Sequence, residues 1–207
     1  MLGTAEMFTF FFVMLGPLKV LAPFAHRTQG LSDATVRQIA WRAFLIATTA
    51  VLGGGLLGTM MLTNWRISNA ALTLAAGVVF FLVALRQLLE QYEPPAHATP
   101  ETLPAVPMVA ASRLVFPVLV TPYGIAAVIA LLAGSAQSER TITILGLVLV
   151  IMLLNLVAML YARRILVGFA VIVLQVVGAV LAILQVALSI QFIILGFQQV
   201  GILPQAP

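Results

Sequence analysis

Apolar residues run through this chain in long blocks, and the polar residues collect in the gaps between them. A helix that crosses a bilayer takes about 20 predominantly apolar residues at ~1.5 Å of rise each. The blocks that reach this length are Ala5–Pro23, Ile39–Leu62, Ala70–Leu89, Val109–Leu132, Thr141–Tyr161 and a final run after Arg164. The pattern therefore predicts an all-α, polytopic transmembrane helix bundle of about six spans.

The final run carries no charge from Ile165 to the C-terminus. As one straight helix to Val200 it is roughly 54 Å long, against a hydrocarbon core of about 30 Å, so part of it tilts, breaks or leaves the membrane. No proline or charge interrupts it before Leu203, so it is expected to be one long segment, straight or interrupted.

Between the third and fourth blocks, Pro94, Pro95, Pro100, Pro104 and Pro107 favour extended polyproline geometry that buries nothing. This divides the chain into a first three-span unit (1–92), a linker (93–107) and a second three-span unit (108–207). The halves resemble each other at an offset of about 100 residues. Gly16-Pro17 with Pro23 matches Phe116-Pro117 with Pro122, Ser32 to Arg37 matches Ser135 to Arg140, and Ala76-Gly77 matches Val177-Gly178. Because three spans is an odd number, a second copy enters from the opposite face, giving the inverted-topology repeat of many secondary transporters.

Composition agrees with lipid as the main solvent: 62% of the 207 residues are hydrophobic and 8% are charged, against roughly a quarter charged in soluble domains. The net charge of +4 comes from ten basic residues placed singly or in pairs, which excludes a nucleic-acid-binding patch and reads as topology. Arg27, Arg37, Arg42, Arg86, Arg113, Arg163 and Arg164 fall on one side of the spans, and only Arg66 and Arg140 on the other. The positive-inside rule then puts the linker in the cytoplasm and both termini outside. The stretch Met1 to Glu6 has no basic residue, so the first block is expected to be a retained helix rather than a signal peptide. With no cysteine, and with His26 and His97 far apart in connecting segments, neither disulfides nor a His or Cys metal cage is expected.

Candidate chemistry gathers at the prolines. In each half the first span holds two prolines five or six residues apart, and each removes a backbone donor, so both spans should break there. Such breaks are tolerated in a membrane where they line a cavity or are covered by protein, and paired interrupted helices are a pointer to a transport site. Lys19, between Pro17 and Pro23, is the one lysine of the chain and lies inside a span, whereas Arg42, Arg86 and Arg113 fall within about a turn of a span end; it can pair with a substrate carboxylate, or snorkel to the interface. Thr121, Tyr123 and Gly124 flank Pro122 and offer two hydroxyls and a close backbone approach; the competing roles are a helix cap and an interfacial tyrosine. Asn155, Gln175, Gln185, Ser189 and Gln191 suit hydrogen bonding between helices or the lining of a pathway. Gly53-Gly54-Gly55 with Gly58, and Ala75-Ala76-Gly77, predict close helix packing. The six acidic residues sit in loops or at span ends, which disfavours a buried proton relay and divalent-metal transport; no cofactor is implied, and the coupling ion, Na⁺ or H⁺, stays open. No Ser/His, HExxH or paired-carboxylate arrangement falls within the spans, so an enzyme is not expected.

These residues together resemble the MarC family of six-span inner-membrane proteins, which includes neutral amino-acid transporters. The resemblance rests on Pro17-Leu18 through Phe24 followed by Ser32-Asp33 and Arg37, on Asn64-Trp65-Arg66-Ile67-Ser68 leading into Leu74 to Arg86, on Phe116 to Pro122, and on Gln191 to Gly196. It implies a bacterial cytoplasmic-membrane protein that moves a small, neutral amino-acid-like solute, with a midplane site at Pro17, Lys19, Val20, Pro23, Thr121, Pro122, Tyr123 and Gly124, joined by Asn155. The alternative is a non-transporting membrane protein with a structural or partner-binding role. The chain departs from the family pattern at that site: Val20 replaces a usual Asn, Lys19 a small residue and Thr121 a Gly, and the last span lacks the usual charges.

Overall fold

A computed structural model describes residues 3–90, 107–135, 138–166 and 169–204, and every regular element among them is helical. In chain order these are α1 (Thr4–Leu15), α2 (Leu18–Arg27), α3 (Asp33–Asn64), α4 (Asn69–Glu90), α5 (Pro107–Leu114), a π turn (Val115–Leu119), α6 (Pro122–Ala133), α7 (Ser138–Ile165) and α8 (Phe169–Val200). Five helical segments are long and apolar enough to cross a membrane: Met7–Arg27, Asp33–Asn64, Asn69–Arg86, Ser138–Ile165 and Val176–Val200. The sixth expected span, Val109–Leu132, is divided among α5, the π turn and α6. The 12 residues of α6 reach only ~18 Å, too short to cross alone. The expected linker lies outside the described residues, except that Pro107 opens α5.

The ends of the elements follow local chemistry. Ser32 caps α3, its hydroxyl accepting from the Thr35 N–H at 3.3 Å, with Asp33 in the positive first turn. The Ser68 hydroxyl accepts from the Ala71 N–H at 3.1 Å at the start of α4. The last run forms a single helix of 32 residues, ~48 Å long, with no interruption.

Packing joins the two halves. α4 lies along α8, and α3 packs on α5, α6 and α7, while α1 and α2 pack on α7. The glycines mark the closest contacts. A Cβ on Gly77 meets Ile193 Cγ1 at 2.8 Å and its backbone N at 2.9 Å, and one on Gly196 meets Leu74 Cγ at 2.5 Å. Gly54, Gly55 and Gly58 face Ile125, Val128 and Ile129 on α6, whereas a Cβ on Gly53 meets nothing. Gly178 has open space around it, and Gly196 does on α8 what Gly77 does on α4. The core between the helices includes Phe11, Phe24, Ile39, Phe80, Leu114, Ile151 and Met152, and the outer faces expose apolar side chains such as Leu57, Met60, Leu82 and Ile142 for lipid.

Candidate functional site

Both broken spans bring a helix end into the interior. α1 stops at Leu15, and α2 starts after Pro17, whose missing N–H is no loss at a helix start. In the second half the π turn contains a non-helical Phe116 (φ −112°, ψ 131°), Val120 and Thr121 are extended, and Pro122 opens α6. One expectation is corrected. Pro23 does not break its helix: it is the sixth residue of α2, so only the Lys19 carbonyl loses an i→i−4 partner, and the helix is held by its buried Leu21 and Phe24. The helix-starting prolines are Pro17 and Pro122, and Pro117 lies within the π turn.

A helix end leaves its last carbonyls without intrahelical donors. At the end of α1, three consecutive ones are met by side chains from three other helices. The Gln185 amide of α8 donates to the Val13 carbonyl at 3.0 Å, the Lys19 ammonium of α2 to Met14 at 3.3 Å, and the Asn155 amide of α7 to Leu15 at 2.7 Å. Asn155, 1% exposed, also donates to its own helix at Ile151, 3.1 Å away.

The two breaks meet directly. Lys19 Nζ lies 2.7 Å from the Tyr123 hydroxyl, bridging α2 and α6. Tyr123 is buried and stacks on Phe80 of α4 with ring centroids 5.2 Å apart. Gly124 is pressed against the Leu15 side chain, so that any Cβ there collides with it; the glycine allows the end of α1 and the start of α6 to touch. Thr121 caps α6 locally, its hydroxyl accepting from the Gly124 N–H at 3.2 Å.

The structure thus brings together Lys19, Thr121, Tyr123, Gly124 and Asn155 around the end of α1. Val20 is buried among apolar neighbours, its N–H donating to the Pro17 carbonyl at 3.2 Å. Pro23 stands away from the break, and Pro122 turns an exposed face outward. Gln185 and Phe80 complete the junction. Gln185 carried a signal, an amide within an apolar run, but its partner, a carbonyl 172 positions away, did not. Of the other polar residues of the last run, Ser189 bonds within its own helix and Gln191 lines a cavity described below; the Gln175 side chain lies outside the described residues.

On the arginine-rich face, Arg163 of α7 donates to the Thr28 and Leu31 carbonyls of the α2–α3 turn, the latter at 2.9 Å, and to Asp33 at 3.2 Å. Arg27 donates to the Arg113 carbonyl of α5 at 3.4 Å. On the face that carries the N-terminus, a cavity of about 1060 Å³ opens among the ends of α1, α4, α6, α7 and α8. The structure is therefore tied across one face and hollow at the other.

Neither a curated protein nor a solved structure matches the chain. A family model described as MarC family integral membrane protein matches residues 3–200, nearly the whole length, and it agrees with the helical bundle and its apolar spans. The chain belongs to the MarC family of integral membrane proteins.

Proposed function

We propose that the protein is a transporter of a small, neutral amino-acid-like solute, working between two inverted halves, with no catalytic chemistry of its own. The observation that carries this reading is the meeting of two interrupted helices in the interior, with Lys19 reaching across to Tyr123. An ionisable side chain at such a place is expensive to keep, and it supplies a group that an incoming carboxylate can take over from the tyrosine hydroxyl. The asymmetry of the two faces, one bound by Arg163 and Arg27 and the other hollow, supports a one-sided state of an alternating-access cycle. With the arginine-rich face in the cytoplasm, the hollow face and both termini lie outside a bacterial cytoplasmic membrane.

A second reading has its own support. The carbonyls freed at the break are already met by Gln185, Lys19 and Asn155, and Val20 adds only apolar packing, as expected of a junction kept for stability in a non-transporting membrane protein.

Uptake separates the two. In proteoliposomes, with and without Na⁺, the wild type should accumulate glycine, L-alanine or L-serine, and Lys19→Met should lose at least ~90% of that uptake while eluting as folded protein. A thermal shift in detergent provides the binding arm: a solute at a hundred times its Kd stabilises the fold by about 2.7 kcal/mol. Folded wild type that neither shifts nor transports any of the three supports the structural reading.

A further inference from the structure

The cavity on the N-terminal face takes no part in the Lys19–Tyr123 junction, and its lining is chemically specific. Its volume, about 1060 Å³, is at the upper end of the ~300–1,000 Å³ typical of small-molecule sites. Arg140, in the first turn of α7, lines it and forms neither a hydrogen bond nor an ion pair among the described residues, and its partly buried guanidinium has an Nε shielded from solvent without an acceptor. Asn69, the first residue of α4, lines the same cavity, and its Oδ1 is buried without a donor. A donor and an acceptor shielded from water without partners are both costly, and a ligand that supplies the opposite groups relieves both costs.

We infer that this cavity is a recognition site for a small zwitterion of the amino-acid class, with Arg140 taking the carboxylate and the Asn69 amide oxygen taking the ammonium. The guanidinium offers parallel N–H donors that match a carboxylate in two-point geometry, and no acidic side chain among the cavity's residues competes for it. The site deepens the transport reading and rests on it for its role in a pathway. Its inner wall includes Phe10 and Phe192, stacked at 4.8 Å and 8°. About one turn beyond Phe10 on α1 is the Val13 carbonyl, and about two turns beyond Phe192 on α8 is its donor Gln185, whose Oε1 is another buried atom without a partner. Met14, Lys19 and Tyr123 follow. The cavity wall therefore continues, along α1 and α8, toward the inner junction.

The chain has no cysteine, so a single thiol placed at Thr9, on the cavity wall, reports on this site alone. Full-length Thr9→Cys in phosphatidylcholine vesicles is treated with an anionic (sulfonatoethyl) and a cationic (trimethylammonioethyl) methanethiosulfonate. The anionic reagent should react about tenfold faster relative to free thiol, a preference kept by Arg140→Lys and lost in Arg140→Gln. L-alanine and propionate should slow it, and L-alaninamide, which lacks the carboxylate, should not. Equal rates for the two reagents, protection by alaninamide as strong as by L-alanine, or a preference unchanged in Arg140→Gln each overturn the assignment. So does protection that appears only when anionic phosphatidylglycerol is added to the vesicles, which identifies a lipid head group as the occupant. The reagent and protection arms need only the Thr9→Cys protein, so misfolding of an Arg140 variant does not remove the test. Uptake of L-alanine without any Arg140 dependence leaves transport standing and sinks this site; anion preference and carboxylate protection without uptake of any amino acid does the reverse.

Discussion

The two interrupted spans solve the same backbone problem in opposite ways. The break after α1 exposes carbonyls, and its donors come from the next helix, α2, and from α7 and α8, two elements distant in sequence. The break before α6 exposes N–H groups, and it is closed within its own segment: Thr121 accepts from Gly124, and the Val120 N–H donates to the Val115 carbonyl at 2.8 Å. A helix start is easily capped by a neighbouring hydroxyl, whereas a helix end in an apolar interior needs donors that its apolar neighbours do not carry. The first break therefore ties the bundle together, and the second is a local device that can be moved or altered with less effect elsewhere.

Substitutions at the two breaks should differ accordingly, each measured by unfolding of detergent-solubilised protein followed by Trp41 and Trp65 fluorescence. The largest effect is expected from Gly16→Ala, because a Cβ there runs into the backbone carbonyl of Phe12, which cannot rotate away; a loss of about 3 kcal/mol is expected, and a change under ~1 kcal/mol contradicts the tight turn. Asn155→Ala leaves the Leu15 carbonyl without its donor and should cost about 2 kcal/mol. At the second break, Thr121→Ala removes one local cap and should cost about 1 kcal/mol; if it proves as damaging as Asn155→Ala, the contrast between the breaks is wrong. The smallest effect belongs to Gln185→Leu. It gives up the bond to Val13 and also removes the unpartnered Oε1, so the two nearly cancel and stability should stay within ~0.5 kcal/mol of wild type.

Much of this arrangement is legible in the residues. Prolines in two apolar blocks announce interruptions because proline lacks a donor wherever it stands. The glycine runs announce close packing, and Gly54, Gly55 and Gly58 provide it against α6. Less legible is which proline matters. Pro17, Pro23, Pro117 and Pro122 look alike in sequence, yet Pro17 and Pro122 open helices, Pro117 lies in a π turn, and Pro23 is carried inside α2. The cost of a proline in a helix depends on which single carbonyl it deprives and on what packs around it, and that is not local information.

The sequence by itself determined the solvent, the helical class and which two spans are interrupted, because each follows from the chemistry of contiguous residues: hydropathy over about 20 positions, and the presence or absence of a backbone donor. Only the tertiary structure decided that Lys19 meets Tyr123, that Asn155 and Gln185 serve the end of α1, and that Arg140 and Asn69 share a cavity. Those pairings span up to 172 positions of chain. A hydrogen bond is decided within a few tenths of an ångström, and such distances are set by how whole helices pack.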